Sequence, residues 1–370
     1  MSQQPGLDYL PDDLSDEAKR GLLALTEESE PEPAPLAVNE HLIRHWCETT
    51  EDGNPLYLDN AYATSQGHPS VVAPPGSIMT TFTMPYRWPW PPDGREPAPH
   101  IHYQIKELLN LPVGIITEID VEQYAPVHIG DTISVSQRLV SISPWKKTRL
   151  GEGHFWTMER FYRIQRGRIQ RGRIQRGELA IRERMVGFGY GRESGSASTS
   201  TATGGWSPAV EEMIRGEETG YQPPQYHDRF WEDVDEGQQL PELLMPITVT
   251  RCVYLASATR DFSPQHSNRD YAQERSQAKD VFINTPFNIG MLSRFMTDWG
   301  GPRSIVRRMK FAMRGNVCAG DVMRITGTVT RKYIEDDEHR VDLEIVIHTE
   351  DGPITPSTGT LALPSREAGA

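Results

Sequence analysis

The sequence predicts an α+β fold of two related units, each with a long central helix wrapped by an antiparallel sheet. Two observations lead to this prediction. In both halves of the 370-residue chain, segments with helical periodicity come first and segments of alternating apolar and polar residues follow. Short motifs also recur in the same order about 200 residues apart, a period that indicates paired domains rather than a solenoid.

The internal repeat rests on two pairs of motifs. Asp-Gly-Asn-Pro-Leu-Tyr at Asp52–Tyr57 aligns with Asp-Phe-Ser-Pro-Gln-His at Asp261–His266, and a Tyr-Ala pair follows each of them. Further along, Gly130-Asp131 and Gly320-Asp321 each precede an apolar alternating segment. Two matches in the same order imply that one unit was duplicated.

Helical patterns precede the strands in each half. In the first half we expect helices at Ser15–Leu25, Asn39–Thr50 and Asn60–Gln66, and a longer helix entered near Gly76. In the second half we expect helices at Thr250–Thr259 and Asp270–Ala278, and a central helix at Phe287–Trp299. Strands are expected from Ile115 onwards and at Ile305–Arg314, Val322–Tyr333, His339–Thr349 and Thr358–Leu363.

These patterns divide the chain into four parts. Residues 1–36 form an acidic leader, residues 37–191 the first unit, and residues 216–366 the second. Between the units, residues 192–215 have the Gly-, Ser- and Thr-rich composition of a flexible linker. Residues 163–177 repeat Arg-Ile-Gln-Arg-Gly three times, which we interpret as a tandem expansion. The alternatives are binding of nucleic acid or of the phosphates of a cofactor thioester.

Composition excludes several classes of protein. The net charge of −13 argues against a general affinity for nucleic acid or anionic membrane. The three cysteines have neither metal-binding spacing nor a pairing pattern, so we expect reduced thiols in a cytoplasmic protein without a metal site. The amino terminus lacks signal-peptide features, and no apolar run approaches the ~20 residues of a membrane span.

The strongest candidate for chemistry is the pair Asp261 and His266. A carboxylate and an imidazole lie five positions apart across a Ser-Pro turn, just after a short apolar helix. Two such groups at the mouth of one loop can hold a water molecule between them and exchange protons with it. A pair of this kind can add water to a double bond or remove it.

This stretch resembles the signature of the MaoC-like, R-specific enoyl-CoA hydratases, which reads Asp-x-Asn-Pro-x-His and is followed by Tyr/Phe-Ala. Here Ser263 stands in place of the usual Asn and Gln265 in place of an aliphatic residue. The resemblance covers most of residues 37–365 and implies two hotdog units, that is, a double hotdog. It also implies hydration of a trans-2-enoyl thioester to the (R)-3-hydroxyacyl product. No cofactor is expected, because coenzyme A is part of the substrate.

The resemblance assigns further residues to substrate binding. Members of the family use a glycine near the start of the central helix, so Gly290 is expected to donate its backbone N–H to the thioester carbonyl. Asn288 precedes it and is expected to line the same site. Ser263 is expected to donate a hydrogen bond within the Asp261 loop, as the usual Asn does, or to initiate a turn. Which of Asp261 and His266 acts as base and which as acid stays open.

The first unit carries Tyr57 where the second has histidine. An unperturbed tyrosine has a pKa near 10, far from the value near 6.5 that lets histidine exchange protons at neutral pH. We therefore expect the first unit to have lost its chemistry, Asp52 to be a structural loop residue, and Tyr57 to help form the acyl pocket. An insertion rich in aromatic residues and proline, with Trp88 and Trp90, is either a wall over a bulky acyl group or a surface-covering or subunit contact.

Coenzyme A carries phosphates, so some positive charge is expected near the pocket; the candidates are Arg269, Arg303 and Arg307. The substrate is an acyl thioester of coenzyme A or of acyl carrier protein, in fatty acid or lipid metabolism, and the acyl group is expected to be bulky or long. Hotdog sheets often pair, so a homodimer is expected. Two alternatives stay open: a non-catalytic subunit that binds acyl thioesters, and a thioesterase.

Overall fold

The structure is a computed structural model of the chain and describes residues 10–12, 14–85, 100–165, 177–191 and 226–367. Trp88 and Trp90, the predicted linker at 192–215 and most of the Arg-Ile-Gln-Arg-Gly repeats lie outside the described residues. Helices and antiparallel sheets occur together, as the sequence predicts for an α+β fold. Within the described ranges, none of the helices combines the length and the apolar character needed to cross a membrane.

The chain divides into two compact units that interleave along the sequence. One unit comprises residues 1–35, 85–125 and 132–196; the other comprises residues 36–84, 126–131 and 197–370. The boundaries at 37–191 and 216–366 follow the sequence repeat and stay a prediction. Packing groups the residues differently, because the early helices after residue 36 belong to the same unit as the central helix of the second half.

The first compact unit is an antiparallel sheet with two helices. Its helices are α1 (Asp16–Ala24) and α6 (Ile101–Leu108), and its strands are β1 (Glu32–Pro33), β2 (Val113–Gln123), β3 (Thr132–Ile142), β4 (Lys146–Thr148), β5 (Gly151–Gln165) and β6 (Glu178–Gly191). The strand order is β1-β3-β5-β6-β2, with β4 paired to β5. Helix α6 packs against β2 and β3, and α1 packs against α6.

The second compact unit contains more helix. Its helices are α2 (Glu40–Thr50), α3 (Pro55–Leu58), α4 (Asn60–Ser65), α5 (Pro75–Met79), α7 (Val249–Thr259), α8 (Arg269–Glu274) and α9 (Thr285–Gly300). Its strands are β7 (Leu243–Pro246), β8 (Ile305–Ala312), β9 (Val322–Glu335), β10 (Glu338–Thr349) and β11 (Gly352–Ala362). They are antiparallel in the order β8-β11-β10-β9-β7, and α9 packs against β8 and β11.

Helix α9 is the predicted central helix, and it begins two residues earlier than expected. The Asn284 side chain caps it by accepting a hydrogen bond from the backbone N–H of Phe287, and Pro286 occupies the first turn. A proline in the first turn removes no intrahelical hydrogen bond, so it marks a helix start rather than an interruption. Nearly every residue of α9 is buried. The helix ends at Gly300 and is followed by Gly301, whose φ of 87° suits glycine.

The prediction of a longer helix after Gly76 is wrong. Helix α5 ends at Met79, and Thr80 has a non-helical backbone with φ −134° and ψ −68°. The hydroxyl of Thr80 donates to the Gly76 carbonyl, and that of Thr81 donates to the Ala258 carbonyl at 2.7 Å. Hydroxyl groups that bond to backbone carbonyls compete with helical hydrogen bonds. Gly76 has a packing role, since a Cβ there would lie 2.5 Å from the Trp46 ring.

Candidate active site

The loop that carries Asp261 starts with a reversal of the backbone. Helix α7 ends at Arg260, which adopts the left-handed conformation with φ 58°. This conformation costs a non-glycine residue about 1 kcal/mol. The Arg260 guanidinium donates to the backbone carbonyl of Met84 at 2.7 Å, which holds the residue in place. The chain therefore leaves α7 sharply and presents Asp261 at the helix end.

Hydrogen bonds within the loop fix the Asp261 carboxylate. Its Oδ1 accepts from the Ser263 hydroxyl at 2.7 Å and from the Ser263 backbone N–H at 3.2 Å. This is the bond expected of Ser263, so serine serves where the family signature has asparagine. Pro264 then opens a single 3-10 turn that ends at His266. The second carboxylate oxygen, Oδ2, points toward the imidazole.

The His266 imidazole is anchored through Nδ1, and its Nε2 faces Asp261. It is 4% exposed, and its Nδ1 lies 2.7 Å from the Phe282 carbonyl oxygen. A carbonyl can only accept, so Nδ1 carries the hydrogen and the lone pair of the neutral ring is on Nε2. Nε2 lies 3.6 Å from Asp261 Oδ2, too far for a direct hydrogen bond. A water molecule contacting both groups would complete the pair.

The first turn of α9 is connected to this loop through side chains. The Asn284 amide donates to the Thr259 hydroxyl at 2.8 Å, and the Asp261 backbone N–H lies 3.4 Å from the same hydroxyl. Because Asn284 also caps α9, the start of the central helix and the Asp261 loop are fixed together. Sequence reasoning did not identify Thr259 or Asn284 as part of the site, although Asn-Thr-Pro is a recognisable helix start.

Asn288 lies one turn further along α9 and has an unused acceptor. The side chain is 5% exposed, and its Oδ1 has no hydrogen-bond partner among the described residues. Its amide nitrogen lies 3.8 Å from the Met313 sulfur, which is also 3.6 Å from the Thr285 hydroxyl. A buried unsatisfied oxygen costs about 1–3 kcal/mol. Such a cost is explained if a bound ligand donates a hydrogen bond to the oxygen. A role of Asn288 in substrate binding therefore stays a prediction.

Gly290 lies in the interior of α9. It is the sixth residue of α9, beyond the four residues whose N–H groups lack an intrahelical acceptor. A Cβ at this position would lie 2.8 Å from Thr50 Cγ2 and 3.0 Å from the Trp46 ring. Gly290 thus lets α9 approach α2 closely. Its role in binding the thioester carbonyl stays a prediction.

The corresponding loop of the first half has the same backbone geometry. Glu51 has φ 51°, as Arg260 has 58°, and Asp52 Oδ1 accepts from the Asn54 backbone N–H at 3.1 Å. Asp52 is therefore a hydrogen-bonding loop residue, as expected. Burial raises the pKa of the Tyr57 hydroxyl well above 10, with further contributions from Asp52, Cys47 and Asp298. A tyrosine that stays neutral cannot take the place of an imidazole in proton transfer.

Asp52 is 3% exposed and belongs to a buried charged cluster. Burial and, to a smaller extent, the nearby Asp298 carboxylate raise the pKa of its carboxyl to about 7, although the Asn54 N–H and Arg294 oppose the change. Arg294 donates to Asp298 Oδ2 at 3.1 Å and to the Thr50 carbonyl at 2.8 Å. Asp298 therefore takes part in a structural ion pair with Arg294.

The arginines predicted to bind phosphate are each paired with a carboxylate. Arg269 and Asp280 lie 2.8 Å apart, Arg303 and Asp228 2.7 Å apart, and Arg307 donates to Glu338 at 3.0 Å. These pairs balance the charge locally, so coenzyme A binding by the three arginines stays a prediction. In the described part of the chain, no three or more His, Cys, Asp or Glu side chains are grouped to hold a metal ion.

The sequence is similar to known hydratases. Residues 24–169 match the family described as FAS1-like, dehydratase domain region. The chain is 40% identical over 141 residues to a probable enoyl-CoA hydratase alpha subunit from Thermomonospora curvata, covering 37% of this chain and 43% of that protein. It is 35% identical over 94 residues to the 3-oxo-4,17-pregnadiene-20-carboxyl-CoA hydratase beta subunit of Mycobacterium tuberculosis, covering 25% of this chain and 72% of that protein.

Solved structures show the same fold. A MaoC-like dehydratase superposes with a TM-score of 0.65 at 16% identity, over 92% of this chain and 98% of that one. A conserved hypothetical protein from Mycobacterium tuberculosis with a double hotdog fold gives a TM-score of 0.56 at 13% identity, over 90% and 96% of the two chains. The predicted double hotdog is thereby confirmed.

Proposed function

Because the chain belongs to the MaoC-like enoyl-CoA hydratase and acyl dehydratase family, we propose that it adds water reversibly to the double bond of a trans-2-enoyl thioester. The observation that carries the proposal is the Asp261–His266 pair. Its two reactive atoms face each other at 3.6 Å, and the far side of the imidazole is anchored on the Phe282 carbonyl. This leaves a lone pair at Nε2 and a carboxylate oxygen on either side of one water position.

Hydration by this pair needs one proton shared between the two groups. As the water oxygen bonds to C3, one group takes a proton from the water, and the other delivers its proton to C2. In one assignment His266 Nε2 is the base and Asp261 the acid; the reverse assignment is chemically equivalent. Proton transfer across the gap then restores the starting state, so water is added without another reactant. The reverse sequence removes water from the 3-hydroxyacyl thioester.

The stereochemistry and acyl group are finer parts of the proposal. The sequence signature is that of R-specific hydratases, so we assign the (R)-3-hydroxyacyl product. One relative is named for a ring-bearing carboxyl-CoA, which supports a bulky acyl group over a short linear one. Tyr57, Asn288 and the insertion with Trp88 and Trp90 are the residues proposed to contact it. Arg269, Arg303 and Arg307 remain proposed contacts for the phosphates of a coenzyme A thioester in the cytoplasm.

A second candidate function is favoured by the names of the relatives. They are alpha and beta subunits of hydratases, and the match spans only 43% of the first one. The chain could therefore bind an acyl thioester beside a partner chain rather than act as a homodimer. An intact Asp261–His266 pair favours catalysis, since a subunit that only binds substrate needs neither group.

Loss of the ultraviolet absorbance of the enoyl thioester tests the proposal. Short, long and ring-bearing trans-2-enoyl-CoA substrates would be compared, with Asp261→Asn and His266→Ala as variants. We expect each change to lower kcat at least 10²-fold, the usual contribution of a positioned acid or base. Chiral chromatography of the product would check the (R) assignment.

The duplicated loop provides a matched control. Asp52→Asn alters the position of the other loop that corresponds to Asp261, where no imidazole is present, and should leave kcat within about 3-fold of wild type. Equal losses in both loops, or binding of acyl-CoA with no turnover of any substrate by the wild type, would refute the catalytic assignment.

A further inference from the structure

The carbonyl that anchors His266 belongs to a segment, Lys279–Ile283, whose position depends on a second loop. The Ala319 N–H donates to the Val281 carbonyl at 2.8 Å, and the Ile283 N–H donates to the Val317 carbonyl at 3.0 Å. Phe282 forms an antiparallel bridge with Cys318. The Phe282 carbonyl, which these bonds do not use, receives His266 Nδ1 at 2.7 Å.

One buried carboxylate ties the two sides of this bridge together. Asp321 is 2% exposed, and its Oδ2 accepts from the Cys318 N–H at 2.7 Å. Its Oδ1 forms an ion pair with the ammonium of Lys279. The carboxylate thus bonds to the loop on one side and to the start of the Lys279–Ile283 segment on the other. Gly320, with φ 96°, makes the turn that brings Asp321 back onto the loop.

We propose that Asp321 and Lys279 are positioning residues for His266, acting through the Phe282 carbonyl to keep the hydrogen on Nδ1 and the lone pair on Nε2. This inference rests on the proposed function for its effect on turnover, but not for its effect on the imidazole. A ring released from the carbonyl can adopt the other tautomer. Its Nε2–H would then point at Asp261, and it could not accept a proton from water on that side.

The effect of losing Asp321 should be partial, because a second carboxylate holds the same segment. Asp280 Oδ1 accepts from the Val281 N–H at 2.7 Å and from Arg269 Nε at 2.9 Å. Arg269 lies at the start of α8, which follows the His266 turn. The segment is therefore fixed from both sides, and a change at Asp321 leaves one of the two supports in place.

The first half of the chain has corresponding hydrogen bonds, but no histidine stands at the position that matches His266. Asp131 Oδ2 accepts from the His128 N–H at 3.0 Å, and His128 forms an antiparallel bridge with Val72. The Ala73 N–H donates to the Val127 carbonyl at 2.8 Å. Tyr57 occupies the histidine position of this half. Asp131 therefore bonds to the backbone as Asp321 does, but the residue at the histidine position of its half is a tyrosine.

The test compares Asp321→Ala with Asp131→Ala in the full chain, by enoyl-CoA hydration and by nitrogen-15 NMR of the imidazoles without substrate. For Asp321→Ala we expect kcat to fall about 10–100-fold, the range found for groups that orient metal-binding histidines, with KM changing less than about 3-fold. The His266 nitrogen shifts should move toward a mixture of tautomers. Asp131→Ala should lose similar thermal stability while kcat and the His266 signals stay as in wild type.

Lys279→Met is the second variant, because it keeps the bond between Asp321 and Cys318 and should fold if Asp321→Ala does not. It should move the His266 signals in the same direction. Unchanged His266 signals in both variants, or equal changes for Asp131→Ala, would overturn the inference. Shifted signals in a chain that hydrates no substrate would support the positioning role and refute the proposed reaction, so the two failures are distinguishable.

Discussion

Replacing Gly290 by alanine separates a packing role from a role in binding the thioester. The new methyl group would lie 2.8 Å from Thr50 Cγ2 and 3.0 Å from the Trp46 ring, both on helix α2. Contacts this short require α9 or α2 to shift. Overpacking of this kind costs about 1–3 kcal/mol, while alanine in a helix interior regains about 1 kcal/mol relative to glycine. We therefore expect a net destabilisation of about 0–2 kcal/mol.

Thr50→Ser offers a way to isolate the contact. Serine lacks the Cγ2 methyl group but keeps the hydroxyl, which donates to the Trp46 carbonyl at 3.0 Å in the wild type. Thermal denaturation of the two single variants and the double variant forms a double-mutant cycle. Gly290→Ala should cost less in the Thr50→Ser background, with a coupling of at least about 0.5 kcal/mol.

Activity completes this experiment. If Gly290 only permits close packing, kcat of folded Gly290→Ala should stay within about 3-fold of wild type, since alanine keeps the backbone N–H. Additive stabilities in the cycle together with a large loss of kcat would refute the packing interpretation. That combination would support the predicted role of Gly290 in binding the thioester carbonyl.

Three other changes probe the buried polar groups of the second compact unit. Folding raises the pKa of Asp52 from 3.8 to about 7, so between these values the native state holds a proton that the unfolded chain releases. The stability of the wild type relative to Asp52→Asn should therefore fall as the pH rises from 4 to 7. A constant difference in melting temperature across that range would contradict this. Asn288→Ala should raise KM about 10-fold without destabilising the free protein, because its Oδ1 has no partner in the described structure; an unchanged KM across the substrate panel would count against a substrate contact. Arg294→Met removes the cation beside Asp298 and should cost about 3–5 kcal/mol in a denaturant titration, and a loss below 1 kcal/mol would mean that the ion pair is not structural.

The sequence alone determined features that neighbouring residues encode. The predicted helix start at Asn39 caps the helix that follows it, because capping is satisfied within three residues. The Asp261 loop is likewise local, since the carboxylate bonds to Ser263 two positions away. The repeat then made one loop comparable with the other and identified Tyr57 as the difference between them.

The tertiary structure decided what depends on residues distant in sequence. The anchor of His266 is a carbonyl 16 positions away, and the Asp321–Lys279 pair that holds its segment spans 42 positions. The contact that requires Gly290 to be a glycine comes from α2, more than two hundred residues earlier. No local pattern specifies such partners, because they are selected by the packing of whole elements. The reactive pair could therefore be predicted from the sequence, but the groups that orient it could not.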